Sequence, residues 1–327
     1  MYTEHTRPRG LRMEVLAEVF MTGWLVVNGF LNSSAFEEIY SFLLSAARKR
    51  EVRLEIKRTT DPDIVVPVGK EFGECPDFPD FILFWDKDIN LARRFESEGI
   101  PVFNGADAVE RSDSKILTSI FLSSCEVRIP ETFISPKTFE GVFYSDLSFV
   151  DIAAERLGFP MIIKEEYGSF GKQVYLANGI EDARNIIGKF GYKSFIMQKF
   201  ISDCRGRDLR LNVVGDRVVS CVERYNPNDF RSNLALGGKT KAAEPTKKQK
   251  ELAVSAVRAL GLDFAGVDIL NSASFGDLVC EVNSNPHFKG AYDCFGINLG
   301  KPILDRIINI LSCESAGNRE KFSRERR

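Results

Sequence analysis

The 327-residue chain is poor in histidine, with only His5 and His287, so it cannot support a histidine-rich metal centre. Its seven cysteines (Cys75, Cys125, Cys204, Cys221, Cys280, Cys294 and Cys313) are odd in number, scattered and never spaced C-x-x-C. That spacing excludes a zinc knuckle and argues for free thiols in a reducing compartment, most of them small core residues. Neither sign of charge dominates: 44 Lys and Arg face 46 Asp and Glu, for a net charge of -2. Nothing global therefore points to nucleic acid or to an anionic membrane surface. Long apolar runs are missing as well. The most apolar N-terminal stretch, "VFMTGWLVVNGFLN", is too short and too polar to span a bilayer. Glu14 and Glu18 precede it, unlike the basic start of a signal peptide, so a cytoplasmic location is expected. A Walker A phosphate loop is absent, and so are internal repeats.

What is present is ordinary for a soluble globular protein: 44% hydrophobic and 28% charged residues, over a length that suits two or three domains. Residues 1–20 read as an amphipathic extension, with Met21 as an alternative start. The pattern then alternates. A strand over 23–30 leads through Asn32, Ser33 and Ser34 into a helix over 35–50, followed by strands at 52–57, 80–85 and 100–104 and a helix over 89–98. Strands separated by helices of this length predict a small parallel α/β sheet closing near Ser112. From Asp113 a helix is expected with Ser112 or Asp113 as its cap. A helix stopped at Gly158, a strand ending at Lys164, strand "QVYLA", a helix over 181–190 and strand "SFIMQKFI" follow. The last third is rich in strands: a hairpin turning at Gly215-Asp216, a helix opened by a Thr246/Gln249 capping box, two further strands and a closing helix over 302–311. The basic end, with Lys321, Arg324, Arg326 and Arg327, reads as a solvated terminus or as an interaction tail.

Three groups of residues could carry chemistry. The stretch "KEEYGSFGKQVYL" breaks a strand with Gly168 and Gly171, either as a plain turn or as a flexible loop lying over phosphates. In "GVDIL" and "LVCEVNSN", side chains alternate faces, so Glu281 and Asn283 share a side, and Asp268 on the neighbouring strand would join them. Such oxygen ligands suit Mg²⁺, which takes one or two carboxylates plus phosphate and water; the plain alternative is strand-end residues facing solvent. The loop Arg231-Ser232-Asn233 offers a guanidinium fork matched to phosphate or carboxylate. Asp208 and Arg210 point to one side of their strand, and Lys115 and Lys164 are single lysines of low specificity alone.

Taken in order, Lys115, Lys164, the glycine loop, "QKFI", "GRDLRLNVVGDRVV", "FRSNLALGG", "GVDIL" and "CEVNSNP" resemble the ATP-grasp superfamily, most closely its RimK-like amino-acid and glutamate ligases. The resemblance implies an α/β (α+β) ATP-grasp fold behind an N-terminal parallel α/β pre-ATP-grasp domain. It divides the chain into the extension 1–20, the pre-ATP-grasp domain 21–112, a small subdomain with the glycine lid at 113–192, a C-terminal subdomain with the metal site at 193–313, and the tail 314–327. The expected activity is ATP-dependent joining of a carboxylate to an amine through an acyl phosphate, adding an amino acid such as glutamate to a small molecule, peptide or protein terminus. The alternative is an ATP-binding regulatory or scaffold protein without turnover.

The implied cofactors are ATP and Mg²⁺ or Mn²⁺. Lys115 and Lys164 would contact phosphates. Tyr167, Gly168, Ser169, Phe170 and Gly171 would form the lid, with Phe170 packing on closure. Gln198, Lys199, Phe200 and Ile201 would line the adenine pocket and Asp208 would hold the ribose. Arg231, Ser232 and Asn233 would face the transferred phosphate, with Arg231 or Arg210 steadying the oxyanion, while Asp268, Glu281 and Asn283 would bind metal. The family often carries "NASPG" after the metal-binding glutamate, whereas "NSNPHFKG" stands here, which enlarges and recharges the acceptor side at His287, Phe288 and Lys289. His287 has a structural reading and a substrate-contacting one. Asn28, Asn32 and Asp86 are expected on the acceptor side. The resemblance further implies self-association, and no nucleic-acid or membrane partner.

Overall fold

The computed structural model describes residues 21–31, 33–65 and 78–324, with side chains of the last helix described through Cys313. The extension 1–20, Asn32, Cys75 and the basic side chains of the tail lie outside the described residues.

Strand β1 (Thr22–Val27) is apolar because both its faces are covered; helix α1 (Ser34–Arg48), flanked by Ser33, buries Ile39, Tyr40, Leu43, Ala46 and Ala47 against it. β2 (Arg53–Arg58), β3 (Phe81–Trp85), α2 (Ile89–Ser97, capped by the Asp88 side chain) and β4 (Val102–Phe103) complete a parallel sheet in the order β2-β1-β3-β4. The parallel block expected from the alternating pattern is thus present. A helix that the pattern did not suggest, α3 (Ala106–Asp113), follows it. Helix α4 (Lys115–Ser124) therefore starts later than expected. Its cap is Ser114, which accepts from Leu117 N–H at 3.1 Å, and neither Ser112 nor Asp113 serves.

The middle layer contains β5 (Thr132–Ile134), α5 (Ser148–Leu157), β6 (Met161–Glu165), β7 (Val174–Ala177), α6 (Ile180–Gly188) and β8 (Phe195–Lys199). Its strands run antiparallel in the order β5-β8-β6-β7. β8 pairs with β6, so this layer runs to Lys199, past the boundary expected at 192. The last layer is an antiparallel sheet, β11-β10-β9-β12-β13. It is built from β9 (Arg207–Val214), β10 (Arg217–Tyr225), β11 (Lys239–Ala242), β12 (Phe264–Ser272) and β13 (Gly276–Asn283). Helix α7 (Lys247–Leu260), opened by the Thr246/Gln249 capping box, covers it with Ala253, Ala256, Val257 and Leu260. Two helices end the chain, α8 (Lys289–Phe295) and α9 (Gly300–Arg324), the latter much longer than the 302–311 expected.

The first and last layers share a core in which Leu25, Leu83 and Phe103 meet Val214, Phe264, Phe288 and Ile303. Fully buried Asn104 pins the seam. Its amide donates to the carbonyls of Phe264 (3.0 Å) and Ser284 (3.1 Å) and accepts from Asp263 and Phe264 N–H (2.7 and 3.2 Å). Removing such a multiply bonded buried amide leaves several backbone groups unmatched, at roughly 1–3 kcal/mol each.

Candidate active site

One face of the last sheet carries a run of buried charge. Asp268 on β12 lies in register with Arg210 on β9 and with Glu281 on β13, and Arg224 on β10 lies opposite Asp208. Residues directly opposite in a ladder share a face, so the side chains meet. Arg210 grips both oxygens of Asp268, through Nε to Oδ1 and through Nη2 to Oδ2 at 2.8 Å. Arg224 bonds Asp208 at 2.7 and 2.6 Å and reaches Asp268 Oδ2 at 2.8 Å. Burial opposes the charge on both Asp268 and Arg224. The facing guanidiniums nevertheless hold the Asp268 carboxyl below its ordinary range, and the facing carboxylates hold Arg224 well above its own. Gly266 makes room for this: a Cβ there would sit 2.9 Å from Arg210 Nη1 and 3.0 Å from Pro286 Cβ. The hydrogen-bonding surroundings orient the Asn283 amide with its nitrogen toward Glu281 Oε1 (3.3 Å) and its oxygen toward Arg210 Nη2 (3.2 Å). The structure therefore brings Asp268 and Asn283 to one arginine, with Glu281 joined through Asn283 and opposite Asp268 in the ladder. A carboxylate has about four acceptor positions. Asp268 has three taken, by two bonds from Arg210 and one from Arg224.

Across the crevice stand the lysines. Lys164, buried on β6, donates to Cys280 Sγ at 3.7 Å, beside Glu281. Lys115, in the first turn of α4, donates to the carbonyls of Gly168 (3.2 Å) and Glu166 (3.4 Å). Burial lowers the Lys115 pKa, Lys164 and Lys87 lower it further, and Glu281 opposes them, so these four charges feel one another. Neither Lys115 nor Lys164 forms an ion pair among the described residues. Cations held close without carboxylate partners form an anion site, and they suit a polyphosphate.

The glycine stretch roofs this gap. At Gly171 the backbone is left-handed (φ 73°), and a Cβ would meet Asn233 Oδ1 at 2.7 Å, so only glycine lets the loop lie on residue 233. Arg231 Nη1 donates to Gly171 O at 2.6 Å and to Val174 O at 3.3 Å, and the rest of its fork is held by Asp229. Ser232 Oγ donates to Asp208. Phe170 (φ 60°) is half exposed and meets Phe36 of α1 edge-on at 6.4 Å, while Ser169 Oγ lies 3.5 Å from Lys87 Nζ. Tyr167 is exposed, and partial burial with Glu166 nearby raises its pKa.

Other expected site residues spread along β8 and beyond it. The Gln198 amide turns into its own sheet, donating to Thr132 Oγ1 at 2.9 Å. Lys199 Nζ lies over the Phe275 ring at 5.5 Å, and Ile201 packs with Leu278 and Cys204. Both line a cleft of about 260 Å³ with Phe275 and Leu278, roomy and apolar enough on one side for a planar base. Phe200 lies between them and is half-buried. The Asp208 carboxylate is spent on Arg224 and Ser232 and so belongs to the charged face of the last sheet. His287 is mostly buried. Desolvation lowers its pKa, against a backbone hydrogen bond with Ala35, and Arg210 is close enough to lower it further. The described cysteines are free. Burial pushes the Cys204 and Cys221 thiols up to about 12, as fits core residues, and raises Cys280.

Sequence reasoning missed Arg224 and Lys87. Arg224 is hidden by a strand irregularity near Val218 and Ser220 that changes which residue faces Asp208. Lys87 follows β3, pairs with Asp113 and touches the lid, and only its place after an apolar strand could have signalled it.

The model of the RimK-like ATP-grasp domain matches residues 123–307, more than half of the chain. A probable alpha-L-glutamate ligase 2 of Shewanella amazonensis is 36% identical over 231 residues, which cover 70% of this chain and 74% of that one. A probable alpha-L-glutamate ligase of Parasynechococcus marenigrum is 37% identical over 220 residues, but they span only 45% of its length. Among solved structures, the D-alanine–D-alanine ligase of Bacillus anthracis superposes with a TM-score of 0.67 over 91% of this chain and 99% of its own, at 17% identity. The layered architecture is that of an ATP-grasp fold, and the chain belongs to the RimK-like ATP-grasp family of C–N bond-forming ligases.

Proposed function

We propose that this ligase adds an amino acid, glutamate, to a carboxylate-bearing small molecule, peptide or protein terminus, using MgATP bound in the crevice between the middle and last sheets. The observation that carries the reading is the convergence of Lys115 and Lys164, neither with an ion-pair partner among the described residues, on a carboxylate-lined sheet under a glycine loop.

A carboxylate is a poor electrophile, and joining it to an amine in water is uphill. Transfer of the γ-phosphate to it gives an acyl phosphate. The amine then attacks the carbonyl carbon, the C–O bond to phosphate breaks, and phosphate leaves from the tetrahedral intermediate. The protein's part is positioning and charge neutralisation. Lys164 and Lys115 would bear on the phosphates. Ile201, Phe275 and Leu278 would line the side of the cleft that takes the base, beside β8. Asp268, Glu281 and Asn283 would hold Mg²⁺, with Glu281 the main contributor because Arg210 and Arg224 leave Asp268 little acceptor capacity. A Mg²⁺ held by these residues would supply positive charge against that of the transferring phosphate. Arg231, which donates to Gly171 O, would exchange that carbonyl for a phosphate oxygen as the lid settles.

The test is ADP release with L-glutamate and a panel of carboxylate substrates, with products read by mass. A product equal to the two substrates minus water, lost in Glu281→Ala, is expected. ATP binding with no substrate-dependent turnover across the panel would overturn the reading.

A further inference from the structure

The orphaned polar atoms at the mouth of the parallel sheet point to a second recognition site. From β1 the chain crosses to β2 on one side, while β3 and β4 lie on the other. In open parallel sheets, ligands bind at the carboxyl ends of the two strands where the order turns around. The residues leaving those two ends are Asn28, after β1, and Asp86, after β3.

Asp86 is 7% exposed. Its Oδ1 accepts from the N–H groups of Lys87 (2.5 Å) and Asp88 (3.1 Å), while Oδ2 is buried without a hydrogen-bond partner. Asn285, two residues beyond Asn283, donates from Nδ2 to the Asp86 carbonyl at 2.9 Å, and its own Oδ1 is also buried and unpartnered. An unmatched buried acceptor costs on the order of 1–3 kcal/mol, so keeping one on each of two residues that touch calls for a functional explanation. Burial raises the Asp86 pKa, against hydrogen bonds from Lys87, Asp88 and Asn28. Lys87, the nearest cation in sequence, is turned away to Asp113 and Ser169.

Both free atoms are acceptors, so the missing ligand is a donor, and beside a carboxylate it is a cationic one. We propose that Asp86, with Asn285 and Asn28, is the subsite for the primary ammonium group of the amino-acid substrate. The inference rests on the ligase reading and deepens it. β13 ends at Asn283 and the chain bends through Ser284 and Asn285; two residues reach at most about 7 Å, which sets this subsite beside the Glu281–Asn283 edge where the activated carboxylate would lie. Asp86 acts here as a positioning residue. It selects the amine in its charged form, and the amine gives up one proton to solvent before its lone pair attacks the acyl carbon.

The test uses Asp86→Asn, which keeps the shape and removes the charge. The KM for L-glutamate is expected to rise at least tenfold with the KM for ATP within twofold. When hydroxylamine, small and uncharged, competes with glutamate, the ratio of hydroxamate to amide is expected to rise at least tenfold over the wild type. A readout that needs no turnover is the melting temperature in the presence of an unreactive ATP analogue. L-glutamate should raise it for the wild type and not for Asp86→Asn, and N-acetyl-L-glutamate should raise it for neither. Asn285→Leu, which leaves Asp86 in place, should weaken glutamate binding in the same direction and guards against a folding defect in the first variant. Unchanged KM, partition ratio and glutamate-induced shift in Asp86→Asn would overturn the inference. A wild type that binds glutamate through Asp86 yet never releases ADP would overturn the ligase reading instead.

Discussion

On the last sheet, Arg210 and Arg224 each make paired bonds to a carboxylate, whereas across the crevice Lys115 and Lys164 meet two backbone carbonyls and a thiol. Both groups are cations largely withdrawn from solvent, with Arg224 and Lys164 buried, but they stand in opposite relations to stability. The arginines complete a network that is neutral overall when Asp208 and Asp268 are counted, so each member guards against an uncompensated buried charge. The lysines have no such partner. Burial works against Lys115, and its lysine neighbours add to the cost. A folded chain keeps that arrangement when an anionic ligand is part of its working state.

Substitutions can sharpen or break this contrast. The largest expected effect is on turnover: Glu281→Ala should lower kcat for ADP release by on the order of 10³, as removal of a preorganised electrostatic partner does. Its melting temperature should stay close to that of the wild type, because among the described residues Glu281 has a side-chain hydrogen bond with Asn283 and no ion pair. Next comes stability. Arg224→Leu should cost about 3–5 kcal/mol in urea unfolding, because it leaves Asp208 buried with Ser232 and Asp268 with Arg210 alone. If Arg224→Leu unfolds no more easily than the wild type, the network is not what holds this face together. Lys164→Met should do the reverse, leaving urea stability equal or slightly higher. It should abolish most of the roughly 2.7 kcal/mol of stabilisation expected from MgATP at a hundredfold excess over Kd.

The smallest expected effect is at His287. Burial depresses its pKa below the ordinary 6.5, so below pH 6.5 the unfolded chain takes up a proton that the folded chain resists. Stability from this source is complete above pH 6.5 and is lost as pH falls through and below that value. His287→Gln should flatten that part of the pH dependence, as measured by chemical denaturation between pH 7 and 5.

The alternation of strands and helices was legible because each element carries its own period, and so the parallel sheet, the hairpin at Gly215-Asp216 and the capping box were all readable. Short or unpatterned pieces were not: β5, β11, α3 and α8 are set by what they pack against. In the site, two irregularities did what alternation alone could not. From the Gly215-Asp216 turn, Val214 pairs with Arg217 and Val213 with Val218, and continuing that register would set Asp208 against Glu223. The shift before Ser220 brings Arg224 opposite instead, replacing a repulsive pair with an attractive one. Likewise Ile269 pairs with Val279, and an unbroken ladder would place Cys280 opposite Asp268. The bulge there is what turns Glu281 to the Asp268 face. The candidate metal residues were nameable from strand periodicity, but their meeting depends on one extra residue that the sequence does not mark.

The most direct measurement follows an oxygen atom. With ¹⁸O in both carboxylate oxygens of the substrate, the account predicts that each turnover transfers one ¹⁸O to the released inorganic phosphate, seen as a mass shift or an isotope-shifted phosphorus resonance. Phosphate released without label while the amide forms would contradict an acyl phosphate, and with it the central claim about what the lysine-lined crevice does.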